Sequence, residues 1–320
     1  MSGPRERAQP TVAVVIAARN EAKTIGACLE SLRRQTYACH EVIVIDDAST
    51  DETARIAARF PEVRLLAGAG EGPSRARNLG IKEARSDIVA FTDADCIADE
   101  RWMACLVETL RSGFDGAGGR QLCPEDECDF GRRAQAFLET VGFMADYVQA
   151  GEGVRPTKHN PTCNSAYWRE CLLEIGGFDE RFWPGEDTDL DLRLRRSGRS
   201  IGFHGGALVH HYRPDGWAAF ARMMQSYGRA QAWLVRKHGP FRLLHVVPLA
   251  SLALGPALLT PPGVAAGALY FSIKGFKGGE VLAQYGMLMT TLGAWNLGFA
   301  KGILQWRIGR PMRANCAKTG

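Results

Sequence analysis

The chain has 320 residues, of which 46% are hydrophobic and 23% charged, an ordinary globular composition with length for one large domain or two smaller ones. A net charge of +4 without a long basic block gives no case for nucleic acid as a partner and leaves open a basic patch beside a membrane. Nine cysteines without a CxxC pair, behind an N-terminus lacking the layout of a secretory signal, point to reduced thiols in a cytosol. Cys123 and Cys128 in "CPEDEC" have no second matching pair, so two free thiols are a better reading than a zinc site.

After a tail over residues 1–10, "TVAVVIAA" is a β-branched run that predicts a strand. "TIGACLESLRRQ" has helical spacing with basic residues in its last turn, and "EVIVIDD" is the next strand. "STDETARIAARF" predicts a helix with Ser49 and Glu52 in capping-box positions. "EVRLLA", "SRARNLGIKEA" and "DIVAFTD" continue the rhythm, so a mostly parallel sheet with helices on its faces is expected.

In such a sheet, ligands gather beyond the carboxyl ends of the strands. Those ends read Arg19-Asn20-Glu21, Asp46-Asp47 and Asp93-Ala94-Asp95; all are polar and two carry paired carboxylates. Like charges as close as Asp93 and Asp95 are costly unless water or a cation compensates them, which makes a divalent metal the first expectation. The Gly-rich loop "AGAGEGPSRARN" is neither a P-loop nor a GxGxxG turn. Arg75 and Arg77 follow it at the start of a helix, where they either meet a diphosphate or stay solvated.

A second concentration of chemistry lies between Thr162 and His211. Glu186, Asp187, Asp189 and Asp191 lead a helix ending in Arg193, Arg195 and Arg196, a charge order that suits the helix dipole and explains Asp189 and Asp191. Glu186 and Asp187 follow a Pro184-Gly185 turn flanked by Phe182 and Trp183, where desolvation would raise a carboxyl toward the range of a base. His210 and His211 end an apolar strand and are either metal or phosphate contacts or structural histidines.

"WAAFARMMQSYGRAQAWLVRKHG" places Trp217, Phe220, Met224 and Tyr227 on one helical side with Arg222, Arg229 and Arg236 interspersed. It either lies in a membrane interface or is buried against the sheet. No Asp, Glu, Lys or Arg occurs from Leu243 to Ile273 or from Val281 to Ala300. Each run exceeds the ~20 residues that cross a hydrocarbon core, but Pro248, Pro256, Pro261 and Pro262 suit a bent or re-entrant element equally. Tyr270, Trp295 and Trp306 near the run ends, followed by Lys301, Arg307, Arg310 and Arg313, favour membrane contact over a buried hairpin.

Several of these segments together resemble the inverting glycosyltransferases of family 2, with the GT-A fold, over roughly Thr11 to His211. "ARNEAKTIGACLESLRRQT" looks like the family's opening strand and helix, "VIDDASTDET" like its nucleoside-binding turn and "GPSRARNLGI" like its Arg-Asn segment. "FTDADC" is similar to the DxD metal motif, "CNSAYWRE" and "GGFDERF" to acceptor-side segments, and "GEDTDLDLRLRRSG" to the segment holding the general base. The resemblance implies an α/β, Rossmann-like GT-A fold, to which the apolar runs add C-terminal hydrophobic helices. Together they divide the chain into a tail at 1–10, a catalytic domain at 11–214, an amphipathic interface helix at 215–240, hydrophobic membrane-associated helices at 241–306 and a basic tail at 307–320.

The resemblance also implies a metal-dependent transfer of a sugar from a nucleotide-sugar to a hydroxyl acceptor; the amphipathic and apolar segments and the reduced thiols add the expectation that this acceptor is a glycan or lipid-linked molecule at the cytoplasmic face of a membrane. UDP-sugar is the expected donor and GDP-sugar stays open. Asp47, with Asp46, would accept from the imino N–H of the base, and Arg77 would face the base or diphosphate. Ala18, Arg19, Asn20, Glu21, Asn78, Asp93, Ala94 and Asn164 would complete the nucleotide-sugar site. Asp95, Asp93 and His210 would hold Mn²⁺ or Mg²⁺, hard cations that choose oxygen ligands. Asp187 would be the base and Glu186 would support it. No Gln-x-x-Arg-Trp signature follows, so single-sugar transfer is favoured over polymer synthesis. A non-catalytic nucleotide-binding or membrane scaffold on the same fold is the alternative. A nucleotidyltransferase is a third reading, disfavoured because "AARNEAKT" lacks a Gly-rich triphosphate loop.

Overall fold

A computed structural model describes residues 9–143, 153–240 and 256–307. In chain order the elements begin with β1 (Val12–Ala18), α1 (Ile25–Arg33), β2 (Glu41–Asp46), α2 (Thr53–Ala57), β3 (Val63–Ala67), α3 (Pro73–Glu83), β4 (Ile88–Phe91) and β5 (Cys96–Ala98). There follow α4 (Trp102–Arg111), β6 (Gly116–Leu122), α5 (Asp129–Thr140), β7 (Val154–Thr157), a 3₁₀ turn (Thr162–Asn164), β8 (Ser165–Trp168) and α6 (Arg169–Glu174). The chain continues through α7 (Glu186–Arg196), β9 (Ile201–His211), α8 (Trp217–His238), α9 (Pro261–Ile273) and α10 (Gly279–Arg307).

These elements fall into two compact units, the first from residues 9–124 and 153–212, the second from 125–143, 213–240 and 256–307. The first holds a nine-stranded sheet in the order β3-β2-β1-β4-β8-β6-β9-β5, with β7 also paired to β9. From β3 to β4 all pairs are parallel, whereas β4–β8, β8–β6, β9–β5 and β7–β9 are antiparallel. The sheet is therefore mixed, because its second half is built from short returning strands. Val12 to Ile16 of β1 are fully buried, as befits a central parallel strand covered on both faces, which reads as a continuous apolar run. Each large apolar side chain buried in this way contributes about 1.5–3 kcal/mol, and β1 sets where the carboxyl ends of its neighbours emerge.

Two glycines allow close approaches within this unit. A Cβ on Gly80 of α3 would stand 2.3 Å from Val15 Cγ1, so only glycine lets α3 pack down on β1. A Cβ on Gly119 would meet the Ala207 carbonyl at 2.0 Å, beside the register shift between Gly119 and Arg120 where β6 runs along β9.

The expected Ser49–Glu52 capping box does not form. Ser49 Oγ accepts the Asn20 N–H at 3.0 Å, Glu52 makes no side-chain cap, and Asp51 Oδ1 accepts the Thr53 N–H at 3.0 Å. The helix that follows is one short turn because its first residues are engaged in joining two loops.

The second unit is helical. α8 and α10 pack where Gly298 faces the Gln225 carbonyl and Gly228 the Trp295 carbonyl, positions at which a Cβ would come within 1.9 and 2.1 Å of those oxygens. Phe220 and Met224 are buried, and the Phe220 ring lies 5.8 Å from that of Phe137 on α5, while Trp217 is 46% exposed. The apolar side of α8 thus serves packing among the helices of this unit as well as exposure. Pro261 and Pro262 occupy the first turn of α9, where the missing N–H costs nothing, with Thr260 as its cap. Among the described residues no helix is long and apolar enough to cross a membrane. Residues 241–255, Arg310 and Arg313 lie outside the described residues.

Candidate active site

The carboxyl ends of β1 and β2 are joined by polar bonds that fix the loops before any ligand is considered. Asn20, at φ 56°, accepts the Thr50 N–H on Oδ1 at 2.8 Å, and Glu21 N–H donates to Thr53 Oγ1 at 2.7 Å. Asparagine tolerates the left-handed region because its short side chain bonds locally. Ala48, at φ 59°, has no such help, and holding it there costs about 1–2 kcal/mol. Ala18 and Ala94 are buried backbone positions, and the Ala18 carbonyl accepts the Asp47 N–H at 2.8 Å.

Asp47 was expected to read the base, but the structure gives it another task. Its Oδ1 accepts the N–H groups of Gly70 and Glu71 at 2.7 and 3.2 Å, and its Oδ2 accepts that of Gly72 at 2.8 Å. The carboxylate is the anchor of the Gly-rich loop. Asp46 Oδ1, by contrast, is buried without a hydrogen-bond partner among the described residues, as are Arg19 Nε and Nη1. Buried polar atoms without a protein partner call for water, an ion or a ligand to satisfy them.

Arg77 is buried, and it does not present its terminal nitrogens to a diphosphate. Nη1 donates to Glu186 Oε1 at 2.7 Å and Nη2 to Asp93 Oδ1 at 2.8 Å, with the Phe178 ring 5.8 Å away. Burial opposes the charge on this guanidinium, but Asp93 and Glu186 outweigh it and hold the group above its usual range. Burial pushes the Glu186 carboxyl up to about 7; Arg77 pulls against that shift and the neighbouring Asp187 charge adds to it. Asp93 is thus paired with Arg77 and joins the segment of β4 to the start of α7. Arg75, at the exposed start of α3, pairs with Glu71.

Asn78 and Asn164 were expected to touch the donor or acceptor, and both are engaged internally. Asn78 Nδ2 donates to the Phe178 carbonyl at 2.9 Å and to Glu180 at 3.1 Å, while its Oδ1 accepts the Phe178 N–H at 2.8 Å. Asn164 is completely buried; its Oδ1 accepts the Trp102 indole N–H at 2.8 Å, and its Nδ2 donates to the carbonyls of Arg120 and Ala207, each at 2.9 Å. A side-chain amide has two donors, and these are both in use.

Beyond β4, Asp95 meets His211 rather than His210. Antiparallel pairing sets Cys96 opposite His211, and His211 Nε2 lies 3.6 Å from Asp95 Oδ1. Ligand atoms of Asp95, Cys96 and His211 all fall within 4.8 Å of one another. His210 points to the other face of β9, its Nδ1 being 3.2 Å from the Cys123 carbonyl. Burial, then the neighbouring Cys163, pushes the Cys96 thiol well above its usual range, so it stays protonated and is a poor ligand for a hard cation. The Asp95 carboxylate suits Mn²⁺ or Mg²⁺, with the His211 imidazole as an added nitrogen donor, and His211 Nδ1 is a further buried atom without a partner among the described residues.

α7 begins after Gly185, which takes φ 98° and lets the chain turn sharply into the helix. Asp187 keeps 25% of its side chain exposed and accepts the Thr188 N–H on Oδ1 at 2.6 Å. Asp189 and Asp191 are fully buried and therefore do more than suit the dipole. Asp189 Oδ2 accepts from Arg193 Nε at 2.8 Å. Asp191 accepts from the Tyr167 hydroxyl at 2.7 Å and the Asn160 N–H at 2.8 Å, and His159 Nδ1 lies 2.8 Å from its Oδ2. His159 and Tyr167 were not singled out in the sequence, and Asp191 was read there only as suiting the helix dipole; the adjacency of His159 to "NPTCN" carries no periodicity that would have marked it.

With this geometry in place, the chain can be set beside known proteins. Residues 13–176 match the family described as Glycosyl transferase family 2. The glycosyltransferase AglE of Haloferax volcanii is 28% identical over 79% of this chain and 83% of its own length. A pre-mycofactocin glycosyltransferase of Mycobacterium tuberculosis is 28% identical over 74% of this chain, which spans only 49% of that protein. The solved structure of the mannosyltransferase PcManGT from Pyrobaculum calidifontis, in complex with GDP-Man and Mn²⁺, superposes with a TM-score of 0.63 at 21% identity. It covers 93% of this chain and 88% of its own, a likeness of fold. A mixed α/β sheet with flanking helices, the polar rim at its strand ends and the family match lead to one conclusion: this chain is a glycosyltransferase and belongs to glycosyl transferase family 2.

Proposed function

We propose that the protein transfers a single sugar from a UDP-sugar to a hydroxyl acceptor, with inversion, and that Asp187 is the base. The observation that carries this reading is the Arg77 bridge between Asp93 and Glu186, which gathers the Asp93–Asp95 segment and the Glu186–Asp187 segment around one guanidinium. Arg19 and Asp46, with their unsatisfied buried atoms, receive the nucleotide. Asp46 accepts from the imino N–H of the base in place of Asp47. Asp95 and His211 would hold Mn²⁺ or Mg²⁺, which supplies compensation for the charge gathering on the departing nucleoside diphosphate.

Asp187 is exposed enough to meet a hydroxyl, and it takes the proton as that oxygen attacks the anomeric carbon from the face opposite the leaving group. One displacement inverts the anomeric configuration. The acceptor is placed at the cytoplasmic face of a membrane, as a lipid-linked molecule or glycan. Support comes from the second unit, where Leu259, Ile273 and Leu282 are 70%, 74% and 68% exposed and Lys274 and Lys277 follow α9, a combination suited to an anionic lipid surface.

The test is turnover of a panel of UDP- and GDP-sugars with Mn²⁺ or Mg²⁺, alongside flotation with vesicles of anionic and neutral lipid. Inverted product from a UDP-sugar supports the reading. Retained configuration, or turnover of GDP-sugars alone, overturns the mechanism or the donor respectively, and failure to float with either vesicle removes the membrane.

A further inference from the structure

His159 lies buried between two carboxylates of α7. Its Nδ1 is 2.8 Å from Asp191 Oδ2, while its Nε2 is 3.2 Å from Thr188 Oγ1 and 3.8 Å from Asp187 Oδ2. The tautomer follows from the bonds around Asp191. Oδ2 already accepts the Asn160 N–H and Oδ1 the Tyr167 hydroxyl. The Tyr167 phenol is pushed well above its usual range by burial and then by Asp191, so it remains a donor. Asp191 therefore faces His159 as an acceptor, the hydrogen sits on Nδ1, and a lone pair is left on Nε2.

That lone pair looks toward the side chain assigned above as the base. Nε2 has the Thr188 hydroxyl at 3.2 Å, and Asp187 Oδ2 stands 3.8 Å away, beyond hydrogen-bond distance. Once Asp187 carries a proton, Nε2 becomes its natural acceptor, and a closer approach of about 1 Å completes the bond; catalytic contacts of this sort tighten only in the reacting complex.

We propose that His159 is a positioning residue that takes over the proton Asp187 removes from the acceptor. As the acceptor oxygen bonds to the anomeric carbon, the bond to the diphosphate oxygen breaks and its electron pair leaves with the nucleoside diphosphate. The acceptor O–H proton moves to Asp187 Oδ2, and that same proton then passes on to His159 Nε2. The imidazolium so formed keeps its Nδ1–H on Asp191, and the proton returns to solvent through the exposed edge of Asp187 after product leaves. His159, held by Asp191, thereby restores Asp187 to the carboxylate form within the turnover. The inference rests on Asp187 being the base.

The decisive variant is His159→Asn, whose amide N–H can still donate to Asp191 but which has no atom in place of Nε2. Turnover is read as nucleoside diphosphate released from a UDP- or GDP-sugar, with water standing in for the acceptor hydroxyl. The expected result is a fall in kcat of about 100-fold with the donor KM and the thermal midpoint close to wild type. Wild-type kcat in the folded variant, or a loss carried by KM, overturns the proposal.

If His159→Asn does not fold, the wild-type enzyme gives an independent reading. The acceptor proton must find first Asp187 and then His159 unprotonated, so log kcat of the wild type should fall with a limiting slope of about two as pH is lowered, and a limiting slope of one overturns the relay. Asp187→Asn is run beside both. Should it keep turnover, the base assignment itself fails; should it be dead while His159→Asn is unimpaired, only the relay fails.

Discussion

Arg77 Nη1 donates to Glu186 Oε1 at 2.7 Å, and this one contact ties the helix after the Gly-rich loop to the first residue of α7. The other terminal nitrogen holds Asp93. A planar guanidinium can bridge two carboxylates in fixed directions, whereas a lysine ammonium cannot do so without giving up one of them.

Replacing Arg77 with Gln leaves the Glu186 carboxyl buried without its cation. Breaking a buried pair from one side costs about 3–5 kcal/mol. A fall of that size in unfolding free energy, measured by urea titration, is expected, together with loss of turnover. A variant with unchanged stability would show that the bridge is not formed in solution.

The raised Glu186 carboxyl makes stability depend on pH with a definite sign. Its folded value of about 7 lies above the ordinary 4.5, so the folded protein binds more protons than the unfolded chain between those values. The stabilisation it brings is complete below about pH 4.5 and is lost as pH rises through about 7. Compared with Glu186→Gln, the wild type should lose stability as pH is raised across that window. A wild-type curve parallel to that of the variant contradicts the shift.

Gly80 has no room for a side chain. Alanine there would place its Cβ 2.3 Å from Val15 Cγ1 and 3.1 Å from Ile45 Cδ1, both deep in the sheet. Overpacking costs about 1–3 kcal/mol, which exceeds the gain of up to ~1 kcal/mol in helix propensity. Thermal unfolding of Gly80→Ala should show net destabilisation.

Removing divalent metal with EDTA should weaken nucleotide binding in calorimetry, and Mn²⁺ should restore it. His211→Ala should lose this metal dependence, whereas His210→Ala, altering a side chain on the opposite face of β9, should keep it. The reverse pattern would reinstate His210.

Much of the first unit was legible because alternating apolar runs and helical spacings leave few arrangements open, and the polar strand ends fell where such a sheet binds ligands. The choice between His210 and His211 was not legible, since adjacent strand residues face opposite ways and only the register with Cys96 decides which one reaches Asp95. Asn78, Asn164 and Asp47 sit in recognisable motifs, yet their polar atoms bind groups distant in sequence, a partnership no local pattern announces. The desolvation expected from Phe182 and Trp183 falls on Glu186, because that side chain turns inward to Arg77 while Asp187 keeps an exposed edge.

The most direct test of Asp187 as the base for sugar transfer is release of nucleoside diphosphate from a panel of nucleotide-sugars by wild type and by Asp187→Asn, with donor binding measured on the same samples. Metal-dependent release by the wild type, and none by a variant that still binds the donor, is the predicted result. Equal release by both proteins would contradict it.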